Sequence, residues 1–124
     1  MTIDKIETEG NVIAVINSDE KLITDTQSAL DLLMSINYEA DTKYIVIPKQ
    51  AICDEFFILS TGIAGEILQK YINYGEKLAI YGDYSHYTSK TLKDFIYESN
   101  KCKDIFFVET REEAIGRLKT EVTK

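Results

Sequence analysis

Short apolar runs and helical periodicities alternate along this chain. Val12-Ile13-Ala14-Val15-Ile16, Tyr44-Ile45-Val46-Ile47, Leu78-Ala79-Ile80-Tyr81 and Ile105-Phe106-Phe107-Val108 are nearly continuous in apolar character and rich in β-branched and aromatic side chains. That is the composition of strands buried on both faces. Ahead of the first run, Ile3 and Ile6 alternate loosely with polar neighbours, and Glu9-Gly10-Asn11 supplies turn chemistry, so the chain opens with a hairpin. Between the runs, apolar residues recur three and four apart. Leu30, Leu33 and Met34 predict a first helix from about Asp25 to Ile36, with Thr24 and Gln27 at capping-box spacing. Ile63, Ile67, Leu68, Tyr71 and Ile72 predict a second that ends near Asn73-Tyr74-Gly75, with Gly75 as a left-handed cap. Leu92, Phe95 and Ile96 mark a third, stopping about Asn100. Ala114, Ile115 and Leu118 mark a fourth behind the capping-box spacing of Thr110 and Glu113, fraying from Lys119 to Lys124. For Lys49 to Leu59 the periodicity leaves open a helical turn or a loop that packs Phe56 and Phe57.

The predicted order is β-β-α-β-α-β-α-β-α in one α/β domain over residues 1–124. Right-handed crossovers then require a mixed, mostly parallel five-stranded sheet with about four helices packed alongside. In such sheets the loops leaving strand C-termini collect at one edge, the usual place for ligands. Here that edge gathers Lys49 and Gln50, Asp83 to Tyr87 and Glu109 to Arg111, with the Ser60-Thr61 turn nearby.

Charge and cysteine content narrow the chemistry. The chain has 14 basic and 21 acidic residues, a net charge of −7, and so presents an acidic surface that repels phosphate backbones; nucleic acid is not an expected partner. No apolar run has the length of a membrane span, and Met1-Thr2-Ile3-Asp4-Lys5 lacks a leader's basic flank and apolar block, so a cytoplasmic protein without membrane association is expected. Cys53, Cys102 and a single His build neither a zinc site nor a redox CxxC pair. No cofactor fingerprint is present, and no catalytic residue or metal ligand is assigned.

Two segments carry candidate sites. Ser60, Thr61 and Gly62 precede an apolar helical run, where free backbone N–H groups and the helix dipole favour an anion; this is a candidate phosphoacceptor or anion site. The simpler role for Ser60 and Thr61 is helix capping, and for Gly62 and Gly65 tight packing of helix on sheet. Asp83, Tyr84, Ser85, His86 and Tyr87 leave a parallel strand and contain the only imidazole, which makes them a candidate binding surface. A solvent-exposed loop histidine is the plainer account of His86. Asp54, Glu55 and Glu66 lie near the Ser60 turn in sequence, but Glu66 and Lys70 at i,i+4 read as a surface ion pair.

The element order, with Ser60-Thr61-Gly62-Ile63-Ala64 and the following Leu78-Ala79-Ile80-Tyr81-Gly82, resembles the STAS domain of anti-sigma factor antagonists and sulfate transporter tails. That resemblance implies phosphorylation of the turn serine by a partner kinase; the acidic residue that precedes the serine in that family is Leu59 here. Thr61 to Lys70, Leu78-Ala79-Ile80 with Gly82-Asp83, Asp94-Phe95-Ile96 with Glu98-Ser99-Asn100, and Phe106-Phe107-Val108 are similar to a bacterial family known as domain of unknown function four-one-eight-zero. It implies a bacterial cytoplasmic protein and brings no activity. The expected role is a non-catalytic regulatory or protein-interaction module with a protein partner, switched at Ser60 or Thr61. The alternatives are a small-molecule binding protein or enzyme using the Asp83 to Tyr87 loop, and a structural homo-oligomer whose interface is formed by Phe56, Phe57 and the tyrosines.

Overall fold

A computed structural model describes residues 1–123. Thr2–Thr8 (β1) and Asn11–Asn17 (β2) form the opening hairpin, paired antiparallel from Thr2↔Asn17 to Thr8↔Asn11. Its two turn residues, Glu9 and Gly10, both have positive φ (50° and 77°), as a two-residue turn matched to strand twist requires. The chain continues through Thr26–Ala40 (α1), Tyr44–Pro48 (β3), Ile63–Asn73 (α2), Lys77–Tyr81 (β4), Lys90–Lys101 (α3), Ile105–Val108 (β5) and Arg111–Val122 (α4). The sheet order is β1-β2-β3-β4-β5, with β2 to β5 parallel. This is the mixed, mostly parallel five-stranded α/β arrangement that the apolar pattern predicts.

Every parallel strand is laid down on the same side of its predecessor, so right-handed crossovers put the connecting helices α1, α2 and α3 on one face. Ala14, Ile16, Ile45, Ile47, Leu78, Ile80, Ile105 and Phe107 point into that layer. No strand follows α4, so handedness does not bind it, and it covers the opposite face. There Ala114, Ile115 and Leu118 pack on Ile13, Val15, Val46, Ala79 and Phe106. Burial on both faces accounts for the unbroken apolar runs.

The β5 edge is closed by a side chain. Asn100 accepts the Phe107 N–H at 2.7 Å and donates to the Phe107 carbonyl at 2.9 Å, imitating a sixth strand for one residue. Arg117 donates to the Asn100 carbonyl at 2.8 Å while its guanidinium lies 4.2 Å from the Phe106 ring centroid, which ties α4 to the same corner.

Several boundaries differ from the sequence expectation. The box that starts α1 is Asp25 with Ser28, because Gln27 donates instead to Asp31 at 2.9 Å. The helix also runs past Ile36 to Ala40. Asn37 turns inward within it, and the left-handed Asp41 (φ 48°) ends it. Residues 49–61 make three single 3₁₀ turns, Lys49–Ala51, Asp54–Phe57 and Leu59–Thr61, that bury both Phe56 and Phe57. At the other end, residues 119–122 are helical rather than frayed, with Leu118 anchoring the last turn; Lys124 lies outside the described residues. The Thr110 hydroxyl does accept the Glu113 N–H, at 3.1 Å.

Candidate functional site

The loops leaving β3 and β4 meet at Lys49 and Gly82. A Cβ on residue 82 would lie 2.6 Å from Lys49 Cβ and 3.2 Å from its Cδ, so only glycine lets the lysine stem run across this point. The stem carries Lys49 Nζ to 4.9 Å from the Tyr87 ring centroid and 5.2 Å from that of Phe57. These two rings stack at 5.6 Å and 23°. Behind them, Tyr84 stands edge-on to Phe107, and its hydroxyl donates to the Ile80 carbonyl at 2.8 Å. Burial pushes the Tyr84 phenol far above its usual range, so it is a structural donor rather than an acid.

The Asp83 to Tyr87 loop is held by its own polar groups. Asp83 Oδ1 accepts the Ser85 N–H at 2.8 Å, and hydrogen bonding from Ser85, with smaller help from His86 and Lys49, holds the Asp83 carboxyl below its ordinary value. The His86 ring lies 4.1 Å from that of Tyr87. Among the described residues His86 has no hydrogen-bonded carboxylate, serine or cysteine partner, so the Asp83-His86 proximity does not assemble a general-base pair.

Three hollows adjoin at this edge. One of about 580 Å3 is lined by Ser60, His86 and Tyr87 together with Phe57, Leu59 and Leu92. A second, of about 360 Å3, brings Asp83 and His86 together with Lys21, Lys49, Gln50 and Tyr81. The third, of about 610 Å3, lies between Asp83, Tyr84, Ser85 and the Glu109-Thr110 loop. Two candidate segments far apart in sequence therefore share one wall, through Ser60, His86 and Tyr87. Thr61 and Gly62 do not line it.

The Ser60-Thr61-Gly62 turn is built differently from the expected cap. The N-cap of α2 is Gly62, in the left-handed region (φ 79°), which has no side chain with which to cap the helix. Thr61 faces backward. Its hydroxyl lies 2.8 Å from the Ile58 carbonyl and 2.9 Å from that of Glu55, donating there, and accepts the Ile63 N–H at 3.3 Å. That bonding closes the preceding 3₁₀ turns and leaves the Ala64 and Gly65 amides without a partner among the described residues. Ser60 is exposed, and its hydroxyl likewise has no partner among them. The packing account of the two glycines fails as well: a Cβ at either meets nothing within 4 Å, so Gly62 is explained by its φ and Gly65 by no contact.

Two further expectations are corrected, the Glu66-Lys70 ion pair and the interface at Phe56 and Phe57. Glu66 and Lys70 form no ion pair among the described residues, and Asp54 instead lies 4.0 Å from Lys21. No group of three His, Cys, Asp or Glu among those residues could hold a metal ion. Phe56 (1% exposed) and Phe57 (4%) belong to the core and are not available to an oligomer interface. Both cysteines are free; burial pushes the Cys53 thiol up, whereas Cys102 is exposed.

Sequence reasoning passed over a second polar cluster, at the opposite ends of the strands. Glu76, fully buried, accepts from Asn37 Nδ2 at 2.9 Å on Oε1 and has Lys43 Nζ 3.4 Å from Oε2. Asn37 also donates to the Thr42 carbonyl and accepts from Lys43, while Lys77 and Asp104 pair at 2.5 Å beside it. Thr42 Oγ1 donates to the Val12 carbonyl, fastening β2 to the same corner. Burial raises the Glu76 carboxyl above its ordinary value, against the opposing effects of Asn37 and Lys43. The available signal was a charged residue between the helix-ending Gly75 and an apolar strand, at a place where the chain must turn inward.

Fold and site define an α/β domain whose open, aromatic-backed loops gather at the C-terminal ends of its parallel strands. The chain belongs to the family described as Domain of unknown function (DUF4180), whose model matches residues 8–118. Comparison with curated proteins and with solved structures gives no match. Among the described residues no helix is long and apolar enough to cross a membrane.

Proposed function

We propose that this protein is a non-catalytic regulatory or protein-interaction module acting through the strand C-terminal edge, with Ser60 as its phosphoacceptor. The observation that carries the reading is the position of Ser60: an exposed hydroxyl without a protein partner among the described residues, on the rim of the hollow shared with His86 and Tyr87. The uncapped amides of Ala64 and Gly65 favour negative charge at the start of α2. Thr61 is the weaker acceptor, because its hydroxyl is already bonded on both sides. The STAS-like element order and the resemblance of the turn point the same way. A phosphate would add about −1.5 to −2 charges to a surface that already carries a net −7, repelling an acidic partner or recruiting a basic one. The test is capture of partners from the source cell on the wild-type chain and on Ser60→Asp and Ser60→Ala, with phosphosite mapping of the native protein. Phosphate found on Ser60, together with a partner whose retention differs between Asp and Ala, supports the reading. A chain unmodified at Ser60 whose partners are indifferent to both changes overturns it.

A further inference from the structure

We infer that the hollow between the C-terminal ends of β3 and β4 binds a small organic anion through a carboxylate or phosphate group, with the Lys49 ammonium as its principal contact. The inference stands on Lys49 and does not require the Ser60 reading. Six basic side chains, Lys21, Lys43, Lys77, Lys90, Lys101 and Arg111, have a carboxylate oxygen within 4.0 Å. Lys49 has none among the described residues and no hydrogen-bond acceptor either; its ammonium is held by two ring faces. A ring quadrupole attracts a cation but takes none of its three N–H donors. The result is a partly buried cation whose charge is positioned and whose hydrogen bonds are unspent.

Its position is fixed before any ligand arrives. Glycine at 82 lets the stem cross β4, and the stacked Phe57 and Tyr87 rings hold the far end, so little side-chain freedom remains to be lost on binding. Around the same hollow, Lys21 spends one donor on the Ile52 carbonyl at 3.1 Å and keeps the others, His86 offers its imidazole, and Tyr81 supplies an apolar wall. Asp83 is the opposing charge, with one oxygen occupied by the Ser85 N–H. The hollow sets two lysines, Lys21 and Lys49, against the single carboxylate of Asp83 in a chain of net charge −7. A lysine head is a point charge with rotatable donors, suited to a carboxylate or phosphate oxygen without bidentate geometry. The adjoining hollow on the far side of His86 leaves room for the body of a larger anion.

The test is an amide chemical-shift titration of the full chain with inorganic phosphate and, separately, acetate, at ionic strength held constant with sodium chloride. Saturable movement of the Gln50, Gly82, Asp83 and His86 amides by either probe, half-complete at or below about 10 mM, is expected; which probe saturates identifies the preferred oxyanion. Lys49→Met keeps the stem and its ring contacts and removes the charge, and should weaken the response at least tenfold, whereas Lys119→Met on the exposed end of α4 should leave it unchanged. Lys49→Gln serves if the Met variant does not give a native spectrum. Linear, unsaturating shifts with both probes, or a saturable response that survives loss of the Lys49 charge, would overturn the inference.

Discussion

The two ends of the parallel strands carry polar side chains in opposite conditions. At the N-terminal ends Glu76, Asn37 and Lys43 bond to one another, Lys77 pairs with Asp104 beside them, and Glu76 ties the end of α1 to the start of β4. At the C-terminal ends Lys49 and Ser60 have no such partners among the described residues, and they line hollows of about 360 and 580 Å3. A cluster bonded within itself has most of its interaction energy committed to the fold, even though Glu76 Oε2 keeps only the 3.4 Å ion-pair contact with Lys43 and no hydrogen bond; side chains without polar partners can still give theirs to a ligand or partner. By that criterion the more conspicuous buried charge, Glu76, is structural, and the less conspicuous Lys49 and Ser60 are the functional candidates.

The largest effect expected from breaking this contrast is at the committed end. Glu76→Ala takes one of two acceptors from the Asn37 amide and the ion-pair partner from Lys43 and opens a void, and should destabilise the domain by about 2–3 kcal/mol in denaturant unfolding, the half-exposed Lys43 holding the cost below that of a fully buried pair. Glu76→Gln refines the point through pH. A carboxyl with a folded pKa above the unfolded value of 4.5 keeps its proton longer in the folded chain, so its contribution falls as pH rises through the window above 4.5. The stability of the wild type relative to Glu76→Gln should therefore be highest below pH 4.5 and decline as pH climbs. A difference that is flat with pH would mean that Asn37 and Lys43 fully offset burial.

Next in size is Gly82→Ala, which tests whether the two ends are independent. The new methyl would sit 2.6 Å from Lys49 Cβ, a backbone-anchored atom, so the β3 and β4 loops must part. A loss of about 1–2 kcal/mol is expected. Lys49 should then leave the Phe57 and Tyr87 rings, seen as altered ring-current shifts, while the signals of Asn37 and Thr42 stay in place. Movement at both ends would show that the clusters are coupled through the sheet.

The fold was legible because it rests on periodicity: continuous apolar runs for strands with helices on both faces, and i,i+3,i+4 spacing for the helices that cover them. The face that α1, α2 and α3 take also follows from handedness, whereas α4, with no strand after it, takes the face they leave open. Side-chain hydrogen bonding was less legible. Asn37 has the residue type of a helix stop, and only the buried Glu76, thirty-nine positions away, explains why it does not act as one. Thr61 has the residue type of a cap, yet its hydroxyl closes the 3₁₀ turns behind it. The aromatic residues of 54–58 could not be assigned from periodicity, because single 3₁₀ turns have too few residues to display any. At the site, the sequence brought Asp83 to Tyr87 and Ser60 toward one edge, but the Lys49-Gly82 contact and the wall shared by Ser60, His86 and Tyr87 depend on how two loops lie across each other.

The smallest effect on stability is expected at Ser60, and it is the sharpest test of the uncommitted end. A serine that capped α2 would lose about 1 kcal/mol on replacement by alanine and little on replacement by aspartate. Here the cap is Gly62, and the Ser60 hydroxyl has no partner among the described residues, so neither change removes a bond. Ser60→Ala and Ser60→Asp should both unfold within about 0.5 kcal/mol of wild type, Asp gaining slightly from the helix dipole at low salt. A loss near 1 kcal/mol in the alanine variant alone would restore the capping role, move Ser60 to the committed class and leave Lys49 as the one unspent group of the pair.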